Sequence, residues 1–368
     1  FILILIYFIM PIAIIFNEKI IKYDFGEGHP FRGDRFINFM NLFKNLGLHK
    51  DPRFIIIEGI DASNEDILLV HDQEYINEVY TLAKYRSFLT PDTPINMEII
   101  EGAKAIVGSS ILAGKIVMDN PEIKIAEGIG GGLHHAAADR GGGFCIFNDV
   151  AICAKMLIKK YGLKKILIID TDAHAADGTM DIFYDDPKVL LISIHQDPRT
   201  LYPGRGFIYE FGIGEGEGYK VNIPLPPYAG DECYKIVLEE IFKPIAEEYQ
   251  PEIIIRNGGS DPHWADQLTN LCLTLKGFRM IGETIREVSE KVCNGKVIDL
   301  CGSGYNPKVL PYAWLSIILG LCRIEIPLEE PLEIPKWVYE KSILKIEETK
   351  NVIKEVKNTF KRYWKCFK

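Results

Sequence analysis

Short apolar, β-branched runs recur along the chain, separated by longer amphipathic stretches. Residues 12–16, 123–126, 165–169, 189–194, 251–256 and 296–300 read as strands. Residues 97–118, 150–161, 232–248 and 276–292 read as helices between them. Strands alternating with crossover helices predict an α/β class fold: a single domain whose mainly parallel central sheet carries helices on both faces. No repeat or long low-complexity linker interrupts this pattern. A proline-rich stretch, residues 326–335, leads into a lysine-rich terminal helix expected over residues 343–363, with its basic residues forming a solvated face. The predicted organisation is therefore a leading extension (1–9), a domain (10–335) and a basic helical extension (336–368).

The leading segment, Phe1 to Phe16, holds sixteen apolar residues with a proline inside and no basic start. A spanning helix wants about 20 apolar residues, and a signal peptide wants a charged start and a small-residue cleavage site. Neither pattern is met, so Met10-Pro11 reads as the natural start and residues 1–9 as a non-native or flexible extension. A membrane anchor is the competing reading.

Composition narrows the class. The 368 residues are 47% hydrophobic and 25% charged, with a net charge of −9, which excludes a disordered, collagen-like or disulfide-stapled chain. The acidic balance argues against nucleic acid as an obligate partner. Eight cysteines are scattered without a C-x-x-C pair, as expected of buried thiols in a reducing cytoplasm. Oligomeric state is not legible.

In open parallel sheets, ligands collect at the carboxyl ends of the strands. Polar residues cluster in that position: Asp170, Asp172 and His174 after one run, His195 after the next, then Asn257, Ser260 and Asp261, and last Ser303 and Tyr305. In an extended chain residues two apart share a side, so Asp170, Asp172 and His174 converge. Two carboxylates beside an imidazole past an apolar strand need a compensating cation. An Asp and a His supply two metal ligands, and Asp261 is the natural third; three protein ligands leave a position open for water. The pair His134-His135 sits between glycine-rich loops and is suited to proton transfer near neutral pH. Tyr305, in Leu300-Cys-Gly-Ser-Gly-Tyr305, is placed to donate to a developing oxyanion.

Together, GGGLHHA…GGGFCIFND, IDTDAH..DG, LISIHQD…LYPGRG, NGGSD…D.L and GSGY resemble the histone deacetylase family. The early GEGHPFRGDR and LLVHDQEYI are similar to bacterial and archaeal members, including acetoin-utilisation proteins. The resemblance implies the arginase/deacetylase fold and zinc-dependent hydrolysis of an acyl amide, with Fe²⁺ or Co²⁺ as alternative metals. It implies Asp172, His174 and Asp261 as metal ligands, His135 as general base and acid with His134 as electrostatic partner, and Asp170 and Asp177 as their orienting carboxylates. Tyr305 matches the carbonyl-polarising residue. Phe144, Tyr202 and Leu268 match the walls of the acyl-lysine channel, and Asp92 matches the rim aspartate. A structural potassium ion is implied at main-chain oxygens around Asp170, Asp172, His174 and Ile194, with the Ser193 hydroxyl. The implied substrate is an acetylated protein lysine or a small acetylated amine.

Five positions depart from the family pattern: Ala175, Ala176, Cys301, Ser303 and His263. They motivate a non-catalytic acyl-lysine or metabolite binder as a rival. An arginase-like ureohydrolase with two manganese ions is another, in which His263 would contact a second metal, although Ala176 stands where a further carboxylate is expected. A phosphohydrolase of the haloacid-dehalogenase type would use Asp170-Thr-Asp172, but leaves His134, His135 and Tyr305 without a role.

Overall fold

The central apolar runs become strands because their side chains have water on neither face: β-branched rows on residues 125–129, 166–170, 189–196, 253–258 and 297–301 are buried throughout. The computed structural model describes residues 11–368, so the expectation for residues 1–9 lies outside the described residues. The strands are β1 (Ile12–Phe16), β2 (Phe54–Glu58), β3 (Phe88–Thr90), β4 (Thr93–Pro94), β5 (Ile125–Ile129), β6 (Ile166–Asp170), β7 (Val189–Gln196), β8 (Lys220–Leu225), β9 (Ile253–Gly258) and β10 (Val297–Cys301). Eight of them form a parallel sheet in the order β2-β1-β5-β10-β9-β6-β7-β8, while β3 and β4 make a separate antiparallel hairpin. The α/β reading with a parallel sheet flanked by helices therefore holds.

The chain builds one half outward through β1 and β2 and the other through β6, β7 and β8. It then inserts β9 and β10 between β5 and β6. Four adjacent central strands thus release their following loops at one edge of the sheet, where the order reverses. Beneath that edge, Glu127, Asp299 and Arg256 stand side by side on β5, β10 and β9. Arg256 pairs with Asp299 inside the core. Burial and then the charge of Asp299 push the Glu127 carboxyl well above the usual range, so it is protonated.

Several sequence expectations need correction. The strand expected at 123–126 runs Ile125–Ile129, carried through Gly128, where a Cβ would press on Leu300. Strands β2 and β8 are absent from the sequence reading. Both are edge strands: β2 exposes Ile55 and Ile56, and β8 carries Lys220, whose buried ammonium donates to the carbonyls of Asp186 and Val189. The helix expected over 232–248 is Asp231–Val237 joined to Lys243–Tyr249 by a π turn, Leu238–Phe242. Pro244 lacks the N–H that would bond the carbonyl of Glu240, which accounts for the change of pitch there. The terminal helix divides into Lys336–Leu344 and Ile346–Phe360. The second piece packs on β8 and buries Ile353, Val356 and Phe360, while Lys354 and Lys361 face solvent.

His71 ties an early loop to this framework. Its Nε2 accepts the backbone N–H of Asn148 (2.9 Å), and Asn148 caps the helix Asp149–Tyr161. Burial lowers the His71 pKa to about 4. An unfolded chain takes up that proton near pH 6.5, so it binds more protons than the folded chain between those values. Stability should therefore fall as pH drops from about 6.5 to about 4, by roughly 1.4 kcal/mol per pH unit from this group. Urea unfolding at a series of pH values should show a shallower fall in His71→Gln, whose amide oxygen can still accept from Asn148.

Candidate active site

The site grows from the ends of β6, β9, β5 and β10. Past β6 the chain stays irregular through residue 176, and Asp170 organises it: one carboxylate oxygen accepts the Asp172 N–H (3.0 Å), the other the Asn257 amide (2.6 Å). Asp172 in turn accepts the His174 N–H (2.8 Å). After β9, Thr269 donates its hydroxyl to the carbonyl of Asp261, and Ser303 donates to the Asp261 carboxylate (3.0 Å). The result brings Asp172, His174 and Asp261 together with one donor atom each, all within 4.8 Å of one another. His174 Nδ1 lies 3.0 Å from Asp172 and 2.9 Å from Asp261.

These three groups fit a divalent cation. Asp172 and Asp261 are 1% and 0% exposed, and apposed buried carboxylates are unstable without a cation or protons. In the metal-free chain protons fill that role. Burial and then the charge of Asp172 raise the Asp261 carboxyl well above its ordinary value. Burial opposes a charge on His174, but Asp172 and Asp261 outweigh it and lift that pKa to about 10. A cation at the same place would replace those protons.

The paired imidazoles come from the loop after β5. Gly132 turns this loop in the left-handed region, and a Cβ there would sit 2.5 Å from the Asn257 side-chain oxygen. The Asp149 carboxylate holds it by accepting the N–H groups of Gly132 and Leu133 (3.0 and 2.7 Å) and the Ser110 hydroxyl (2.6 Å). His134 Nδ1 donates to Asp170 (2.9 Å), and His135 Nδ1 donates to Asp177 (2.6 Å). With both Nδ1 atoms committed as donors, the two Nε2 atoms, 3.1 Å apart, hold one proton between them. Burial disfavours charge on His134, yet Asp170 and Asp172 overcome it and raise its pKa to about 9. Burial and the charged His134 lower that of His135, leaving a neutral base.

Tyr305 lines the same cavity as His134, His135, Asp172 and His174; at about 20 Å³ it has room for roughly one water. Its ring stands edge-on to Phe144 (5.8 Å) and His174 (6.5 Å). Burial, then Asp261 and Asp172, push the phenol well above 10, so it keeps its proton and can donate. Its backbone is fixed by Asp266, which accepts the Tyr305 N–H (2.8 Å), and by Arg35, which donates to the carbonyls of Gly302 (3.1 Å) and Gly304 (2.9 Å).

Phe144 and Tyr202 lie beside Gly143, which lines the cavity. Tyr202 meets the His135 ring edge-on at 5.0 Å. Between them lies Gly143, φ +52°, where a Cβ would fall 2.4 Å from the His135 ring. Leu268 is exposed on the loop after Asp261, and Asp92 is exposed at the turn of the β3–β4 hairpin. Ser193 lies beside Asp170 in the β6–β7 register, with Ile194 next on β7. The His195 Nε2–H donates to the Gly206 carbonyl (2.9 Å), so Ser193 donates its hydroxyl to His195 Nδ1 (2.8 Å), and its oxygen accepts the Ala176 N–H (3.4 Å).

Four of the five departures have a clear place. Ser303 bonds Asp261. Ala175 is buried with its Cβ against Gly206, and Cys301 is buried at the end of β10. His263 turns to Glu330 (3.1 Å) and accepts the Ala265 N–H (3.1 Å), so both ring nitrogens are engaged away from the cluster and none is left for a second metal. Sequence reasoning assigned no role to Asp149, Arg35, Asp266 or Asn257. Of these, only Asn257 was singled out, as a polar residue at a strand end; Asp149, Arg35 and Asp266 stood inside quoted motifs without a function.

The histone deacetylase domain matches residues 29–321. The chain belongs to the histone deacetylase family. A protein of Archaeoglobus fulgidus named "Probable deacetylase" is 36% identical over 362 residues, covering 98% of this chain and all of that one. The acetoin utilization protein AcuC of Bacillus subtilis is 34% identical over 334 residues, 88% of this chain and 84% of its own. The crystal structure of the HDA15 HD domain superposes with a TM-score of 0.83 at 25% identity, covering 97% of this chain and 98% of that one. Among the described residues no helix is long and apolar enough to cross a membrane.

If the Asp172, His174 and Asp261 cluster takes a cation, Zn²⁺ added to the metal-stripped protein should raise its thermal midpoint. At 100 times the Kd the gain is about 2.7 kcal/mol. Asp261→Asn should show no such rise, and atomic-emission analysis should find its metal content reduced in parallel.

Proposed function

We propose that this deacetylase-family hydrolase removes an acetyl group from an acetylated amine, either a lysine side chain or a small molecule, with Zn²⁺, Fe²⁺ or Co²⁺ held by Asp172, His174 and Asp261. The observation that carries this reading is the convergence of that cluster, two carboxylate-braced imidazoles and a protonated phenol on one small cavity. Bound there, the cation supplies Lewis acidity toward the amide carbonyl and the attacking water.

The chain's own groups do the rest. His135, kept neutral by burial and its neighbour's charge, accepts the proton of the attacking water at Nε2. Asp177 stabilises the imidazolium that results and fixes its tautomer. Tyr305 donates its hydroxyl hydrogen to the oxygen that gains negative charge as the carbonyl carbon becomes tetrahedral. The imidazole pair then returns a proton to the departing nitrogen, and acetate and free amine leave. Phe144 and Tyr202 form an apolar approach suited to an acyl-lysine stem. A structural potassium ion at the oxygens around Asp170, Asp172, His174, Ser193 and Ile194 belongs to this proposal. It would brace the backbone that carries two of the three ligands.

Two measurements test it. A panel of acetyl-peptides and acetylated amines should yield acetate with the metal-loaded parent and none with Asp172→Ala; equal release by both would remove the cluster from the reaction. Tyr305→Phe should lower kcat by about 10²–10³-fold while metal content stays at the parent level. Parallel losses would assign the tyrosine to structure.

A further inference from the structure

The loop 26–33, which precedes the first long helix and lies mostly ahead of the catalytic segments, carries one histidine that the mechanism does not use. His29 is half-buried and touches three separate pieces of the rim. Its Nδ1 accepts the Phe31 N–H at 2.9 Å. That bond requires Nδ1 to be unprotonated, so the hydrogen sits on Nε2, which donates to the Asp92 carbonyl at 3.0 Å. The ring also stands edge-on to Phe25 (4.9 Å) and to Phe144 (4.7 Å), one of the approach walls. His29 therefore joins its own loop, the β3–β4 hairpin and the Phe144 wall through one side chain.

The hairpin is short, and Leu89 on it packs beside Gly141 of the loop that carries Phe144. Its strands are three and two residues long. The Asp92 carboxylate is occupied within the hairpin by the hydroxyls of Thr90 (2.6 Å) and Thr93 (3.2 Å). A hydrogen bond joins it to the wall directly: the Phe144 N–H donates to Thr93 Oγ1 at 3.3 Å. Phe144 itself is in the left-handed region, φ +66°, which an ordinary side chain adopts only where its surroundings compel it. Tyr23 donates to its carbonyl (2.5 Å) and Thr93 accepts its N–H, while His29 closes the third side.

We infer that His29 is a specificity-determining latch: by holding the Asp92 turn against the Phe144 wall it shapes the mouth that a substrate extending beyond its acetamide must engage. This rests on the deacetylase reading above. A long substrate, such as acetyl-lysine within a peptide, touches the rim and depends on the latch. An acetylated amine short enough to end inside the channel does not reach it. The effect therefore falls on substrate binding and not on the chemical step.

Two substitutions separate the latch bond from mere bulk. Glutamine puts an amide N–H where Nε2 stands and can still donate to Asp92; asparagine reaches only to where Nδ1 stands and cannot. In the metal-loaded full chain, His29→Ala and His29→Asn should raise KM for an acetyl-lysine peptide about tenfold, as loss of a hydrogen bond and its aromatic contacts implies, with kcat within about twofold. His29→Gln should stay near the parent, and the rise for a short acetylated amine should stay below about twofold. Amide hydrogen exchange across residues 88–94 gives a readout independent of turnover and should accelerate in the alanine and asparagine variants but not in the glutamine variant. Unchanged exchange in His29→Ala with an active parent would overturn the latch alone. Faster exchange with an unchanged peptide KM would overturn its role in specificity. A parent that releases acetate from no substrate would overturn the deacetylase reading, and the specificity role with it.

Discussion

Buried negative charge is the constraint around which this protein is organised. Asp170, Asp172 and Asp261 are almost wholly removed from water, Asp177 nearly so, and all lie at one edge of one sheet. Each is tolerable only because its oxygens are spoken for. Asp170 is shared by His134, Asn257 and the Asp172 N–H; Asp177 meets His135; Asp261 meets His174 and Ser303. The unsatisfied remainder falls on the Asp172, His174 and Asp261 cluster, which protons or a cation must balance. Binding and chemistry are thus consequences of how the charges are housed, and the same carboxylates that call for a cation also set the protonation of the imidazoles beside it.

The sheet order makes that housing possible. Cluster residues 172 and 261 are far apart in the chain, yet β6 and β9 are neighbours, and Asp170 lies directly opposite Asn257 in the register. Inserting β9 and β10 last into the centre places the Asp261 and Tyr305 loops between the His134 loop and the Asp172 loop. No sequential hairpin arrangement brings four such loops to one edge. The glycines after β5 and β10 matter for the same reason: they let two backbones pass, since a Cβ at position 302 would fall 2.5 Å from the Gly131 carbonyl oxygen.

The central strands and the cluster were legible in the sequence because both follow local rules. Strands buried on two faces read as continuous apolar runs, and Asp170, Asp172 and His174 declare themselves by two-residue spacing beside such a run. Edge strands obey no such rule: β2 leaves isoleucines exposed, and β8 hides a lysine whose partners are carbonyls of a neighbouring strand and loop. The supporting residues escaped for a related reason. Asp149, Arg35 and Asp266 act on backbone groups 16 to 269 positions away, a separation that no local pattern reports. Ser303 and His263 were noticed as departures, but their partners, Asp261 and Glu330, became visible only with the fold.

The departures also show how the chemistry is insulated from variation. Ala175 and Cys301 are buried, and neither lines the cavity. Ser303 donates to the Asp261 carboxylate of the cluster. His263 faces Glu330, which also accepts the Leu275 N–H (2.6 Å), so a residue beyond the family-matched segment braces the loop carrying Asp261. The centre is held by charge, where removing one partner of a buried pair leaves another uncompensated and is costly. The rim is held by neutral contacts, such as a histidine bonded to a carbonyl and rings meeting edge-on, each worth about 1 kcal/mol. Substitutions at the rim therefore disturb little beyond the rim. A fold built this way can vary its rim while the groups around the cluster stay fixed by the charges they must balance.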